Sequence, residues 1–178
     1  MWFFAFTSGP GNGRLPVPAN DMKAIHYEFA YQEAPWAELP EESQRLIEAA
    51  EEAAGKAYAP YSGFRVGAAV LLADGQILLG ANHENAAYPA GVCAEQAVLS
   101  RLDMATQRVR AIAVTYGTER ELRHSPLSPC GICRQNILEV QVHQQEPIRV
   151  LMSSPERLVR IVEDARQLLP LYFSSENL

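Results

Sequence analysis

Cys93, Cys130 and Cys133 are the only cysteines in this 178-residue chain, and each lies among residues suited to metal chemistry. Cys93 opens Cys93-Ala94-Glu95, and the other two fall in Pro129-Cys130-Gly131-Ile132-Cys133-Arg134-Gln135. Three thiolates suit a zinc ion that keeps its fourth tetrahedral position for water, whereas structural zinc sites close with four protein ligands. Glu95 is too near Cys93 in sequence to be the natural fourth ligand, yet well placed to carry that water's protons. An isolated Cys-x-x-Cys would also suit a redox pair or half of a zinc knuckle. Those readings leave Cys93 and Glu95 without a task, and an odd number of thiols argues against a disulfide framework.

The surrounding pattern places both cysteine segments where a loop enters a helix. Glu41 and Glu42 begin a helix after Pro40, with apolar residues at Leu46, Ile47, Ala50, Ala53, Ala54 and Ala57. Tyr58 to Phe64, with Pro60 and Gly63, reads as a loop. Val66 to Leu72 and Gln76 to Gly80 form a hairpin about Ala73-Asp74-Gly75. Cys93 to Asp103 then reads as a helix, Ala111 to Tyr116 as a buried strand, Cys130 to Val140 as a helix and Ile148 to Met152 as a strand. Ser153 or Ser154 caps a last helix that starts at Pro155 and ends near Leu169, before Pro170. Strands alternating with helices argue for an α/β sandwich, and the hairpin makes its sheet mixed. Unpaired N–H groups at two helix starts would favour thiolates. Three thiolates around Zn²⁺ still leave a charge of −1. The helix ends and Arg134 are the candidates to soften it, the bland alternative for Arg134 being a surface salt bridge.

Composition narrows the partners. The length fits one domain with a real core. Apolar content of 48% and charged content of 20% are those of an ordinary globular protein. With a formal net charge of −6 and no Lys/Arg run, the chain has little to offer a polyanion, which argues against a nucleic-acid substrate and favours a small neutral one. Trp2 to Phe6 is too short to span a bilayer and lacks the basic flank of a secretory signal. Residues 1–21, rich in Gly and Pro, read as a disordered extension or a cloning remnant. Residues 22–178 form the single domain, expected to be cytoplasmic because nothing suggests export and its thiols are read as reduced.

Beyond the cysteines, five segments in order carry a resemblance. They are Ala59-Pro60-Tyr61-Ser62-Gly63-Phe64 with Val66-Gly67-Ala68, Asn82-His83-Glu84-Asn85-Ala86-Ala87-Tyr88, Cys93-Ala94-Glu95, Pro129 to Gln135, and Leu168-Leu169-Pro170 leading to Phe173. A carboxylate two residues after the first ligand, followed by Pro-Cys-x-x-Cys, is the layout of zinc deaminases. From Pro40 onward the chain resembles the cytidine deaminases of the small, homotetrameric, zinc-dependent class.

That resemblance implies a three-layer α/β/α sandwich around a mixed five-stranded sheet, one Zn²⁺ per subunit, and active sites shared between four subunits. It implies hydrolytic deamination of cytidine and 2′-deoxycytidine to uridine and 2′-deoxyuridine, with Glu95 as the proton shuttle and Cys93, Cys130 and Cys133 as ligands. Phe64 would stack on the pyrimidine, and Asn82 and Glu84, two apart at a strand end, would take the ribose 3′-hydroxyl. Ala86 and Tyr88 would reach a neighbouring subunit's site, Ala94 would read the base through its backbone, and Phe173 would close over a base. The alternative for Phe173 is a tail that plugs its own core. The substrates are then a nucleoside and water, with no membrane and no nucleic acid.

The chain departs from the family pattern at three places. Gln96 stands where the family usually carries an Arg that donates to the thiolates; Gln still donates an N–H but brings no charge. Arg134 and the two helix ends are then expected to carry more of the compensation. Extra chain between Gly117 and Ser128 is expected at a rim or subunit contact. His83, between the two sugar contacts, reads as a packing or rim residue. Two other readings remain. One is a deaminase of a modified pyrimidine nucleoside or a blasticidin-type antibiotic, against which Asn82, Glu84 and Tyr88 favour an ordinary ribose. The other is a non-catalytic, zinc-stabilised interaction protein, against which Glu95 argues.

Overall fold

A computed structural model describes residues 23–117 and 125–175. Residues 1–21, and residues 118–124 of the extra chain after Gly117, lie outside the described residues. The elements run β1 (Gln32–Pro35), α1 (Glu41–Gly55), β2 (Arg65–Leu72), β3 (Ile77–Ala81), α2 (Ala94–Leu99), β4 (Val109–Gly117), α3 (Gly131–Gln144), β5 (Arg149–Ser153) and β6 (Leu158–Val162). They build one six-stranded sheet in the order β1-β6-β5-β4-β2-β3. Only β4 and β5 pair in parallel, joined through α3; the other pairs are antiparallel. Among the described residues no helix is long and apolar enough to cross a membrane.

Alternation along the central strands gives the sheet two apolar faces. Ala69 and Leu71 of β2, Ala111 and Ala113 of β4 and Leu151 of β5 pack with Leu46, Ile47 and Ala50 of α1. Their neighbours Ala68, Val70, Ile112, Val114, Val150 and Met152 pack with Ala94, Val98 and Leu99 of α2 and Ile137 and Val140 of α3. This is the expected α/β/α sandwich, with the cysteine-bearing helices together on one face.

Two glycines set how closely the helices approach. A Cβ on Gly67 would lie 2.0 Å from the Ala50 carbonyl oxygen of α1, and one on Gly80 would lie 2.6 Å from the Ala94 oxygen and the Val98 nitrogen of α2. Polar side chains dock α3 at its other end. Gln144 donates to the Val109 carbonyl at 2.8 Å and accepts from its N–H at 2.9 Å. Gln141 accepts from the Ile148 and Ala165 N–H groups and donates to Asp164.

Three expectations about elements need correction. The helix expected over Pro155 to Leu169 is strand β6, followed by a short 3₁₀ turn, Ala165–Leu168. Leu158-Val159-Arg160-Ile161-Val162 is rich in β-branched residues and alternates, sending Val159 and Ile161 to the α1 face and Val162 to the other. Ser154, expected as a helix cap, closes the β5–β6 hairpin instead. Its hydroxyl accepts the Leu158 N–H at 3.1 Å, and its carbonyl accepts the Arg157 N–H at 2.8 Å. The same side-chain chemistry serves caps and turns. The sheet has six strands rather than five, because β1 adds an antiparallel edge to β6 through Gln32–Pro35. The helix expected over Cys93 to Asp103 ends at Leu99, and residues 100–106 continue as turns.

Candidate metal centre and active site

Cys93 is the N-cap of α2 and Cys130 the N-cap of α3, with Cys133 in the first turn of α3. Both caps have extended backbone, so each chain turns sharply into its helix beside the other. The three Sγ atoms lie within 4.8 Å of one another, and those of Cys130 and Cys133 are 3.5 Å apart. Zinc–sulfur bonds of about 2.3 Å in a tetrahedron separate sulfurs by about 3.8 Å, so the cluster matches the span that a zinc ion needs. It is the only such group of three or more Cys, His, Asp or Glu side chains among the described residues. The donor set is sulfur throughout, which suits zinc.

The thiols are unequally poised. Burial would raise Cys130, but the Cys133 N–H, the Cys133 side chain and the Ile132 N–H outweigh it and pull the thiol below its ordinary value. That is the helix-start effect expected from the sequence. Cys133 is buried, and burial first, then the Glu95 charge, push it far up. Burial likewise raises Cys93. Burial thus favours the protonated form of Cys93 and Cys133 when no cation is bound. A cation replaces those protons, so metal uptake releases them.

Glu95 is 4% exposed, in the first turn of α2. Burial raises its carboxyl above the usual carboxylate range, opposed by its own backbone N–H and by the Cys133 side chain. A carboxyl raised in this way gives up and takes back a proton more evenly than an ordinary carboxylate. It opens on a cleft of about 680 Å³ whose lining includes Phe64, Asn82, Glu84, Tyr88, Cys93, Ala94, Glu95 and Cys130.

Gln96 completes a reciprocal capping box. Its backbone N–H donates to the Cys93 sulfur, and its side-chain Oε1 accepts the Cys93 N–H at 3.3 Å. Arg134 donates from Nε to the Pro129 carbonyl at 2.9 Å and from Nη1 to the Leu168 carbonyl at 3.2 Å. These bonds go to backbone oxygens beside the cluster and not to sulfur. The hydrogen bonds that reach Cys93 and Cys130 in the structure come instead from helix-start N–H groups and the neighbouring thiols.

The other side of the cleft is a polar network. Residues 82–84 run between Tyr58 and Val92: the Tyr58 N–H donates to the Asn82 carbonyl at 3.0 Å, and His83 and Val92 exchange two bonds of 2.9 Å. Val92 leads directly into Cys93. The Asn82 side chain accepts the Val66 N–H at 2.8 Å and donates to the Phe64 carbonyl at 3.0 Å. Glu84 accepts the Ser62 hydroxyl at 2.5 Å and the Tyr61 and Ser62 N–H groups at 2.9 and 3.2 Å. Both side chains therefore hold the loop that carries Phe64, whose ring stacks on Tyr116 at 5.1 Å. His83 stacks on Tyr58 at the rim and is not part of the sulfur cluster.

Not every sequence candidate converges. Ala86 is exposed and lies outside the cleft lining. Phe173 is 58% exposed, its carbonyl held by the Gln135 side chain at 2.9 Å, so within this chain it plugs no core. Tyr88 lines the cleft yet is 92% exposed. Tyr116 and Ser62 were missed as site residues. The period-2 alternation Ile112, Val114, Tyr116 pointed Tyr116 to the face of α2 and α3, but nothing local announces its stack on Phe64.

A family model described as the cytidine and deoxycytidylate deaminase zinc-binding region matches residues 40–145. The chain belongs to this family. The cytidine deaminase of Halalkalibacterium halodurans is 46% identical over 98 residues, covering 54% of this chain and 70% of that protein. The cytidine deaminase of Mycobacterium tuberculosis is 40% identical over 120 residues, covering 65% and 83%. The crystal structure of the cytidine deaminase from Burkholderia pseudomallei superposes with a TM-score of 0.63 at 41% identity, covering 72% of this chain and 97% of that one. Family membership and the cluster together establish the cofactor as zinc, and zinc binding by this family explains why three thiols gather beside a buried carboxyl. The match begins at residue 40, so β1 lies outside it.

Proposed function

We propose that this deaminase-family chain hydrolyses cytidine and 2′-deoxycytidine to uridine and 2′-deoxyuridine with release of ammonia. The observation that carries the reading is the meeting of three thiols with a buried Glu95 at the inner end of an open cleft. Cys93, Cys130 and Cys133 would hold the ion, and zinc bound there supplies the Lewis acidity that makes water nucleophilic near neutral pH. Glu95 accepts a proton from the attacking water and delivers it to ring N3, which makes C4 electrophilic. The water's oxygen bonds to C4, Glu95 passes the second proton to the amino group, and the C4–N bond breaks to leave ammonia. Its raised pKa supports this two-way traffic.

Phe64 stacks on the base from the cleft wall, and the backbone at Ala94 meets the base edge. Asn82 and Glu84 take the ribose 3′-hydroxyl. Glu84 keeps acceptor capacity beyond its three bonds to the loop, and Asn82 keeps one N–H and one lone pair. Residues 22–178 act as one catalytic domain, supported by a single sheet that joins β1 to β6.

The active unit is a homotetramer with shared sites, in which Tyr88, Ala86 and Phe173 serve neighbouring subunits. Supporting this, Tyr88, Ile132 and Leu171 leave large apolar side chains 92%, 65% and 95% exposed, surface that neighbouring subunits would cover. The enzyme works in the cytoplasm, where thiols stay reduced for metal.

Incubating the zinc-loaded protein with cytidine tests the reading: absorbance near the cytosine band falls as uridine forms. A protein that binds zinc yet leaves cytidine, deoxycytidine and modified nucleosides intact would be a scaffold. Sedimentation of a monomer would remove the shared-site assembly.

A further inference from the structure

The proposed chemistry leaves Ser62 without a role, yet its hydroxyl lies between the sugar side of the cleft and the base side. The Phe64 N–H donates to Ser62 Oγ at 2.9 Å, and the same hydroxyl donates to Glu84 Oε1 at 2.5 Å. Glu84 Oε2 already accepts the Tyr61 and Ser62 N–H groups. A carboxylate has about four acceptor sites, so the remaining one lies on Oε1, the oxygen that Ser62 holds. A hydroxyl arriving from a bound sugar must share that oxygen. Hydrogen bonds in such a chain polarise one another, so a change at the carboxylate reaches the Phe64 amide through one side-chain oxygen. Gly63, at φ +66°, lets the loop fold back so that the hydroxyl of Ser62 can meet the amide two residues on.

We propose that Ser62 is a positioning residue that couples sugar recognition at Glu84 to the placement of the Phe64 ring. This rests on the nucleoside reading above. A sugar hydroxyl on Oε1 fixes the carboxylate, Ser62 carries that order to the Phe64 backbone, and the ring is set against the base. An occupied sugar site thereby tightens the base site.

A double-mutant cycle on kcat/KM for cytidine tests this, with Glu84→Ala and Phe64→Leu made in three backgrounds: wild type, S62T and S62A. In wild type and S62T the combined loss falls short of the product of the single losses by about tenfold, as for directly coupled residues. In S62A it comes to within about twofold of that product. Alone, S62A raises KM about tenfold and leaves kcat within about twofold, because Glu95 and the thiols are untouched. Melting curves confirm that the variants fold. If S62A does not, Ser62→Cys, a weak donor of similar size, takes its place with the same expected loss of coupling. An additive cycle in an actively deaminating wild type overturns the relay alone, as does coupling that persists undiminished in S62A. A wild type that never deaminates cytidine overturns the nucleoside reading and the relay together.

Discussion

The sulfur-bearing floor of the cleft and the wall opposite it are held in place by different means. The floor consists of two helix starts packed on the sheet, with Ala94 and Cys133 fully buried and Gly80 letting α2 lie close against β3. Its geometry is inherited from the core. The wall of Phe64, Asn82 and Glu84 stands at half-exposed positions and is fixed by side chains bonding to backbone across 16 to 23 residues of sequence. On the proposed reading, hydrophobic packing supports the reacting groups and a polar network supports recognition. Damage to the floor should abolish turnover, whereas damage to the wall should weaken binding.

The sharpest break is Glu95→Gln. It keeps the shape of the carboxyl group and the zinc, and kcat falls by about 10³-fold or more, within reach of a full general acid–base contribution. Metal analysis and steady-state kinetics check it, and near-normal kcat would remove the assigned shuttle. Next comes a pair of glycine substitutions. Gly80→Ala and Gly67→Ala each destabilise by about 3 kcal/mol, since a Cβ collides with helix backbone at both sites. Only Gly80→Ala, which displaces the helix bearing Cys93 and Glu95, also lowers kcat per folded, zinc-loaded molecule. Equal effects on kcat would show that helix depth does not set the floor.

On the wall, Asn82→Ala removes two bonds to the Phe64 loop. It lowers kcat/KM about thirtyfold, mostly through KM, as expected for two bonds worth about 1 kcal/mol each. The smallest effect is a pH dependence. The Ser62 hydroxyl, followed by the Tyr61 N–H, holds Glu84 below the usual carboxylate range. A carboxylate depressed in the folded state stabilises it fully above the unfolded pKa, and the benefit is lost as pH falls through the lower folded value. Melting temperatures of wild type and Glu84→Gln should therefore converge as the pH drops below about 4. A gap that persists in acid would mean that packing and not charge anchors the loop.

How much could be read from the sequence follows the same division. Cys93, Glu95, Cys130 and Cys133 form two short segments, each one turn of a helix start, so local spacing announced them. The hairpin β2–β3, the buried strands and α1 were visible through their periodicity. Strand β6 was not, because Ser153-Ser154-Pro155 is a fair helix start and Leu158 to Val162 is too short for its period to decide. Its pairing with β5 and β1 decided it. Arg134, adjoining Cys133, was expected to offset the charge of the thiolates, a role that asks only for a nearby cation. What local spacing did not announce is where its guanidinium is anchored, on the Pro129 and Leu168 carbonyls, 5 and 34 residues away.

From the sequence alone follow the donor set, the carboxyl group beside it and the helix starts that carry them, because each depends on residues within a few positions of one another. Only the folded chain decided that three sulfurs share a space 4.8 Å across, that Asn82 and Glu84 grip the Phe64 loop, and that the terminal region adds strands. Those features join residues far apart in the chain. Their distances are set by the packing of helices on both faces of the sheet, which no local pattern encodes.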